Sequence, residues 1–177
     1  MKTRARLVLL ALALSVIPPS AAVATPRPTP ARGVAVVRAA TAPYHSLDRA
    51  QRDGYTILFD TAGKACIEEP NVGGMGVHFV KGALVGDSVI RPRQPEAVIY
   101  RLDKNGKLVL AAAEYVVIQG AWDAEHRKPP ALFGHEFMLT GAPNRFGLPP
   151  YYSLHVWAWY HNPAGAFEMW NPRVDCG

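Results

Sequence analysis

Apolar residues recur along this chain mostly with a period of two, the spacing of strands rather than helices. Met75 to Val80 is one such run, opened by the turn residues Pro70, Asn71, Gly73 and Gly74. On it Met75, Val77 and Phe79 are expected to face one way and Gly76, His78 and Val80 the other, with open space at Gly76 beside the imidazole. Residues 96–118 read as a hairpin. A type I turn from Asp103, with Gly106 left-handed, avoids setting Lys104 opposite Lys107. That register pairs Leu102 with Leu108, Tyr100 with Leu110 and Val98 with Ala112. Leu108, Leu110, Ala112, Glu114 and Val116 then share one face of the second strand. Its other face is apolar too, so the strand is expected to be central and covered on both sides.

Residues 152–160 give the last clear strand, ahead of an Asn162-Pro163-Ala164-Gly165 turn. Strict alternation there puts Ser153, His155, Trp157 and Trp159 on one face. The best helix signal lies in residues 40–55, where Ser46 caps, Leu47 and Ala50 lie three apart, and Asp53-Gly54 ends the run. Val34 to Val37 is too short to classify, and residues 119–150 are loop-rich, with one short strand near Phe137. The pattern predicts a small α+β domain dominated by antiparallel sheet, partly closed or barrel-like, with one short N-terminal helix.

The first 33 residues stand apart from this pattern. Lys2, Arg4 and Arg6 precede an apolar run from Leu7 to Ile17, and Ala22-Val23-Ala24 fits a small-residue cleavage site. Residues 1–24 therefore read as a secretory signal peptide, cleaved after Ala24 or alternatively Ala22. The apolar run is too short for a bilayer-spanning anchor, and no later segment is long enough for one. Residues 25–33, rich in proline, read as an extended linker, and 34–177 as a single globular domain in a secreted, extracellular or cell-envelope location. The chain's net charge is +5, from 19 Lys and Arg against 14 Asp and Glu. Five of those basic residues lie in the first 33 positions, which hold no acid, so the domain is balanced. With no basic stripe to neutralise phosphates, nucleic acid is excluded as a partner.

Cys66 and Cys176 are the only cysteines. In an oxidising compartment the pair reads as a disulfide that ties down the C-terminus. A metal-binding thiol pair is the alternative, although no CxxC spacing or adjacent histidine supports it.

Each of the three clearest strands carries one good ligand residue in an apolar setting: His78, Glu114 and His155. Two imidazoles and a carboxylate suit a divalent metal (Zn, Cu, Mn or Fe), and a cation would meet the cost of burying Glu114. The competing reading pairs Glu114 with Arg91 or Arg101 and leaves both histidines as satisfied core groups. His45 and His161 are weaker candidates for a fourth ligand. His135-Glu136 lacks the second histidine of HExxH, no GxSxG elbow occurs, and GGMG lacks the third glycine and following helix of a dinucleotide loop. Ser153 and His155, two residues apart on a strand, are too distant for a nucleophile and its base. The aromatic residues, Trp157 and Trp159 above all, offer either core packing or a platform for a glycan or small apolar ligand.

Taken together, YHSLDRAQRDGY, GGMGVHFV, AAEYVVI and LHVWAWYHNPAGAFEMWNP resemble a group of small exported bacterial proteins of unassigned activity. The likeness runs over most of residues 40–176 and implies M-G-x-H, G-V-E-Y-like and L-H-V-W segments, which here carry His78, Glu114 and His155. It also implies an acidic residue where Ser153 stands and a proline where Glu136 stands, two departures in this sequence.

Overall fold

The structure is a computed structural model, and it describes residues 29–177. The proposed signal peptide and the linker up to residue 28 lie outside the described residues. Helix α1 runs Pro30–Thr41, so the last residues of the expected linker are helical. Thr29 accepts from the Arg32 amide and proline occupies the first turn, a favourable helix start that the short apolar run from Val34 conceals. A 3₁₀ turn, Ala42–His45, leads into α2, Leu47–Arg52, whose N-terminus is capped by the Ser46 hydroxyl as expected.

Strands β1 (Thr56–Ile57), β2 (Cys66–Glu69) and β3 (Gly73–Val80) follow, then the short helix α3 (Gly82–Val85). The hairpin is β4 (Ala97–Leu102) and β5 (Leu108–Ile118), and α4 (Gln119–Glu125) occupies a stretch expected to be loop. The short strands β6 (Ala131–Leu132), β7 (His135–Glu136) and β8 (Met138–Thr140) precede β9 (Tyr151–Val156). The main sheet is antiparallel, ordered β1-β3-β4-β5-β9-β8, with β2 beside β1 on the same edge of β3. Its edges stay open, so the barrel-like expectation is corrected to an open sheet.

The Asp103 turn forms as its chemistry requires. The Asp103 carboxylate accepts from the amides of Asn105 and Lys107, and Gly106 takes the left-handed φ of 73°. Leu102 pairs with Leu108 and Tyr100 with Leu110, but Val98 pairs with Ala113, not Ala112. Ala111 is an extra residue in a bulge, and its carbonyl accepts from the amides of Trp159 and Tyr160 instead of from β4. Leu108 and Leu110 therefore pack on the helix side, while Ala112, Glu114 and Val116 turn to the other face.

A second bulge lies in β3, where Ile67 pairs with Gly76 but Glu68 pairs with Gly74, leaving Met75 over. Met75 consequently lines the same cavity as His78, not the face of Val77. Gly76 does not leave open space as expected. Its φ is +87°, and a Cβ there would meet the Tyr100 carbonyl of the neighbouring strand.

One face of the sheet carries the main core: Val37 and Ala50 of the helices cover Val77, Val98, Tyr115 and Val156. The other face is covered at one end by the C-terminal segment, where Trp157 and Val174 pack on Ile99 and Ala112. Backbone bonds in both directions between Gly74 and Asn171 hold that segment to β3, and the Cys66–Cys176 disulfide closes it. The chain-entropy model gives about 4–5 kcal/mol for a cross-link closing a loop of that length. No described helix is long and apolar enough to cross a membrane.

Candidate metal centre

The three strands that supply the candidate ligands do not all touch. Glu114 and His155 are direct cross-strand partners on β5 and β9, so their side chains rise from the sheet together. His78 lies on β3, beyond β4, and must reach over that strand. On β4 the residue opposite Glu114 is Ala97, and Ile99 stands opposite His78 with Ala112 beyond it on β5. The alanines at 97 and 112 leave room beside Ile99 for a long imidazole and a long carboxylate to converge.

They do converge. One donor atom from each of His78, Glu114 and His155 lies within 4.8 Å of the other two, and all three residues are buried. His78 Nε2 is 3.5 Å from His155 Nε2 and 3.6 Å from Glu114 Oε2, and His155 Nδ1 is 3.5 Å from Glu114 Oε1. A metal takes one nitrogen from each imidazole, and His155 offers Nε2 towards His78 and Nδ1 towards Glu114.

Burial lowers the pKa of both imidazoles, the nearby Glu114 charge partly opposing this at His78, so both rings are neutral with a lone pair to offer. Burial likewise raises the Glu114 carboxyl, opposed by His78 and Ser153. Neither expected arginine answers it. Arg91 pairs with Asp87 at 2.7 Å, and Arg101 donates to the Leu102 carbonyl and lies over the Tyr160 ring. Glu114 is thus a buried carboxylate whose close charged or chargeable partners are two histidines. His78 Nδ1 and Ser153 Oγ lack a well-formed hydrogen bond, although the Gly76 backbone and Glu114 respectively lie close enough to feel them.

The other candidates fall away from the cluster. His45 is exposed and stands edge-on to Trp159, and His161 is exposed with its carbonyl accepting from Asn171. The cysteines are joined to each other. The strand ends at Val156, and the turn that follows sends the two tryptophans to opposite sides of the sheet. Trp157 is buried under the C-terminal segment and donates to the Glu168 carbonyl, while Trp159 packs on the helix side and donates to Thr41. Their shared face is therefore corrected, and the pair makes no common platform.

The cluster forms the floor of a cavity of about 500 Å³. Its walls include Met75, Val85, Val116, Phe146, Leu148 and Trp170, and Arg145 reaches its lining. Most of these come from loops that period-two patterning cannot place. One signal was available, the close run of Gly141, Pro143, Gly147 and Pro149 around Phe146. Asn144 organises that loop. Its side chain donates to the carbonyls of Gly141 and Leu148 and accepts from the amides of Phe146 and Leu148. Comparison with protein families, with curated proteins and with solved structures returns no match for this chain.

Proposed function

We propose that this chain is a secreted domain that binds one divalent metal ion through His78, Glu114 and His155, and presents it to a small molecule in the cavity above. The carrying observation is the convergence of three donor atoms within 4.8 Å on the floor of a 500 Å³ cavity. Zn(II) suits two imidazole nitrogens and a carboxylate oxygen best, ahead of Cu(II), Mn(II) and Fe(II). Three protein ligands leave a coordination position open to the cavity, the arrangement of catalytic rather than structural zinc sites. A bound ion there supplies Lewis-acid activation of a water or a substrate oxygen. The chain's own residues hold the donors neutral or anionic, keep bulk water out with apolar walls, and fix the imidazoles against the sheet.

The disulfide and the basic, apolar N-terminal segment support an oxidising, exported setting. So does the resemblance to exported proteins, which falls on the same three side chains. The competing reading, a non-catalytic module that holds a glycan or small apolar ligand on a platform of Trp157 and Trp159, loses its geometric support because the two rings lie on opposite faces.

The test uses the untagged secreted protein. Bound metals are quantified, and the melting temperature is recorded with chelator and with added Zn(II), Cu(II), Mn(II) or Fe(II). One equivalent of metal and a rise in melting temperature with Zn(II) are expected. Substoichiometric metal together with no shift for any ion ends the metal reading.

A further inference from the structure

The cavity has a second chemical feature, at its rim. Several of its polar lining residues are already committed. Asn144 spends both ends of its amide on its own loop, and His78, Glu114 and His155 face one another on the floor. Arg145 is different. It is exposed, and its guanidinium makes no hydrogen bond or ion pair among the described residues. Its backbone is anchored, since its carbonyl accepts from the Thr61 amide at 2.8 Å, so the side chain starts from a fixed point. Its charge is felt at Tyr151, a cavity residue on β9.

From these placements we infer that the cavity binds an apolar monocarboxylate, its hydrocarbon body against the walls and its carboxylate paired with Arg145 at the rim. Leu148, Val116, Val85 and Phe146 provide surface for a hydrocarbon or aromatic body and few hydrogen bonds for a sugar. Guanidinium is the side chain best matched to a planar carboxylate, through two parallel N–H···O bonds. Glu69 reaches the lining and Glu114 lies on the floor, so the ligand's one negative charge is placed at Arg145 and a second is disfavoured. In this pose the end of the ligand opposite its carboxylate points towards the floor. The inference shares its cavity with the proposed metal site but uses no contact to the ion.

The experiment is calorimetric titration of the whole secreted protein, both metal-loaded and chelator-treated. The probes are 4-phenylbutanoate, octanoate and indole-3-acetate, each beside its uncharged amide, with acetate as the acid lacking a body. At least one apolar acid should bind about tenfold more tightly than its amide, the worth of a charge-assisted hydrogen bond. Acetate should not bind the chelator-treated protein. The preference should vanish in Arg145→Gln and reverse in Arg145→Glu, both exposed changes. It should persist after chelation, so failure of the metal reading leaves this result readable. Equal affinity for acids and amides, a preference retained in Arg145→Gln, or no binding of any apolar acid would each overturn the inference.

Discussion

Glutamine in place of Glu114 preserves the shape of the side chain and removes the one negative charge of the cluster. Its carboxylate oxygens lie 3.6 Å from His78 Nε2 and 3.5 Å from His155 Nδ1, so the anionic donor is lost while the packing is kept. Binding to the folded state alone stabilises by about 2.7 kcal/mol at a free metal concentration one hundred times Kd. For a domain of about 150 residues, 1 kcal/mol moves the melting temperature by about 2–4 °C, so wild type should gain about 5–11 °C. Losing an anionic ligand should weaken binding by at least about a hundredfold, the upper end of what outer-shell substitutions already cost. At the same Zn(II) concentration that leaves about 0.4 kcal/mol, a shift of about 1–2 °C. Without metal the sign inverts. The variant should be as stable as wild type or more so, because a buried carboxylate raised by desolvation has been replaced by a neutral amide. Differential scanning fluorimetry of both proteins, with chelator and with Zn(II), reads both effects. An E114Q protein that keeps the full wild-type shift would refute Glu114 as a ligand.

Three further outcomes follow from other parts of the structure. Glu96 is buried with one oxygen accepting from the Val116 amide and the other unpartnered, and desolvation raises its pKa to about 8. The folded state then holds a proton that the unfolded state releases near 4.5, so stability falls from about pH 4.5 up to about pH 8. Glu96→Gln should remove that slope and be the more stable protein by a few kcal/mol at pH 9, with little difference at pH 4; equal denaturation midpoints at pH 9 would contradict this. Unfolded, unreduced protein should contain no free thiol, and replacing Cys66 and Cys176 by serine should cost about 2–5 kcal/mol in denaturant titrations. Gly76→Ala should destabilise by about 1–3 kcal/mol and also weaken Zn(II) binding, because its φ of +87° and the Tyr100 carbonyl leave no place for a methyl group two residues from His78; an unchanged melting temperature would show that the strand relaxes freely.

The candidate ligand residues were legible because each is a polar exception in an apolar strand, and that exception survives small errors of register. His78, Glu114 and His155 stood out in this way, and the cross-strand pair Glu114–His155 follows once β5 and β9 are neighbours. Facing was harder to read. One extra residue inverts alternation on one side of it, and the bulges at Met75 and Ala111 each did so without a sequence mark strong enough to locate them. The early end of β9 at Val156 parted Trp157 from Trp159 for the same reason. Helix α1 was missed because its large apolar residues are bunched in the short run from Val34 to Val37, and its seat against Phe133 and Ala158 is tertiary: Gly33 is hemmed in by the Phe133 ring, and Arg38 donates to the Ala158 carbonyl. Phe146, Leu148 and Trp170 of the cavity wall lie in loops, where turn chemistry says that the chain bends but not where it returns.

Crystals of the untagged protein grown with Zn(II), measured on both sides of the zinc absorption edge, give the most direct reading of the centre. A single strong anomalous peak about 2.1 Å from a nitrogen of His78, a nitrogen of His155 and an oxygen of Glu114 is the expected result. Anomalous peaks only at surface carboxylates or exposed histidines, with none among those three side chains, would contradict it.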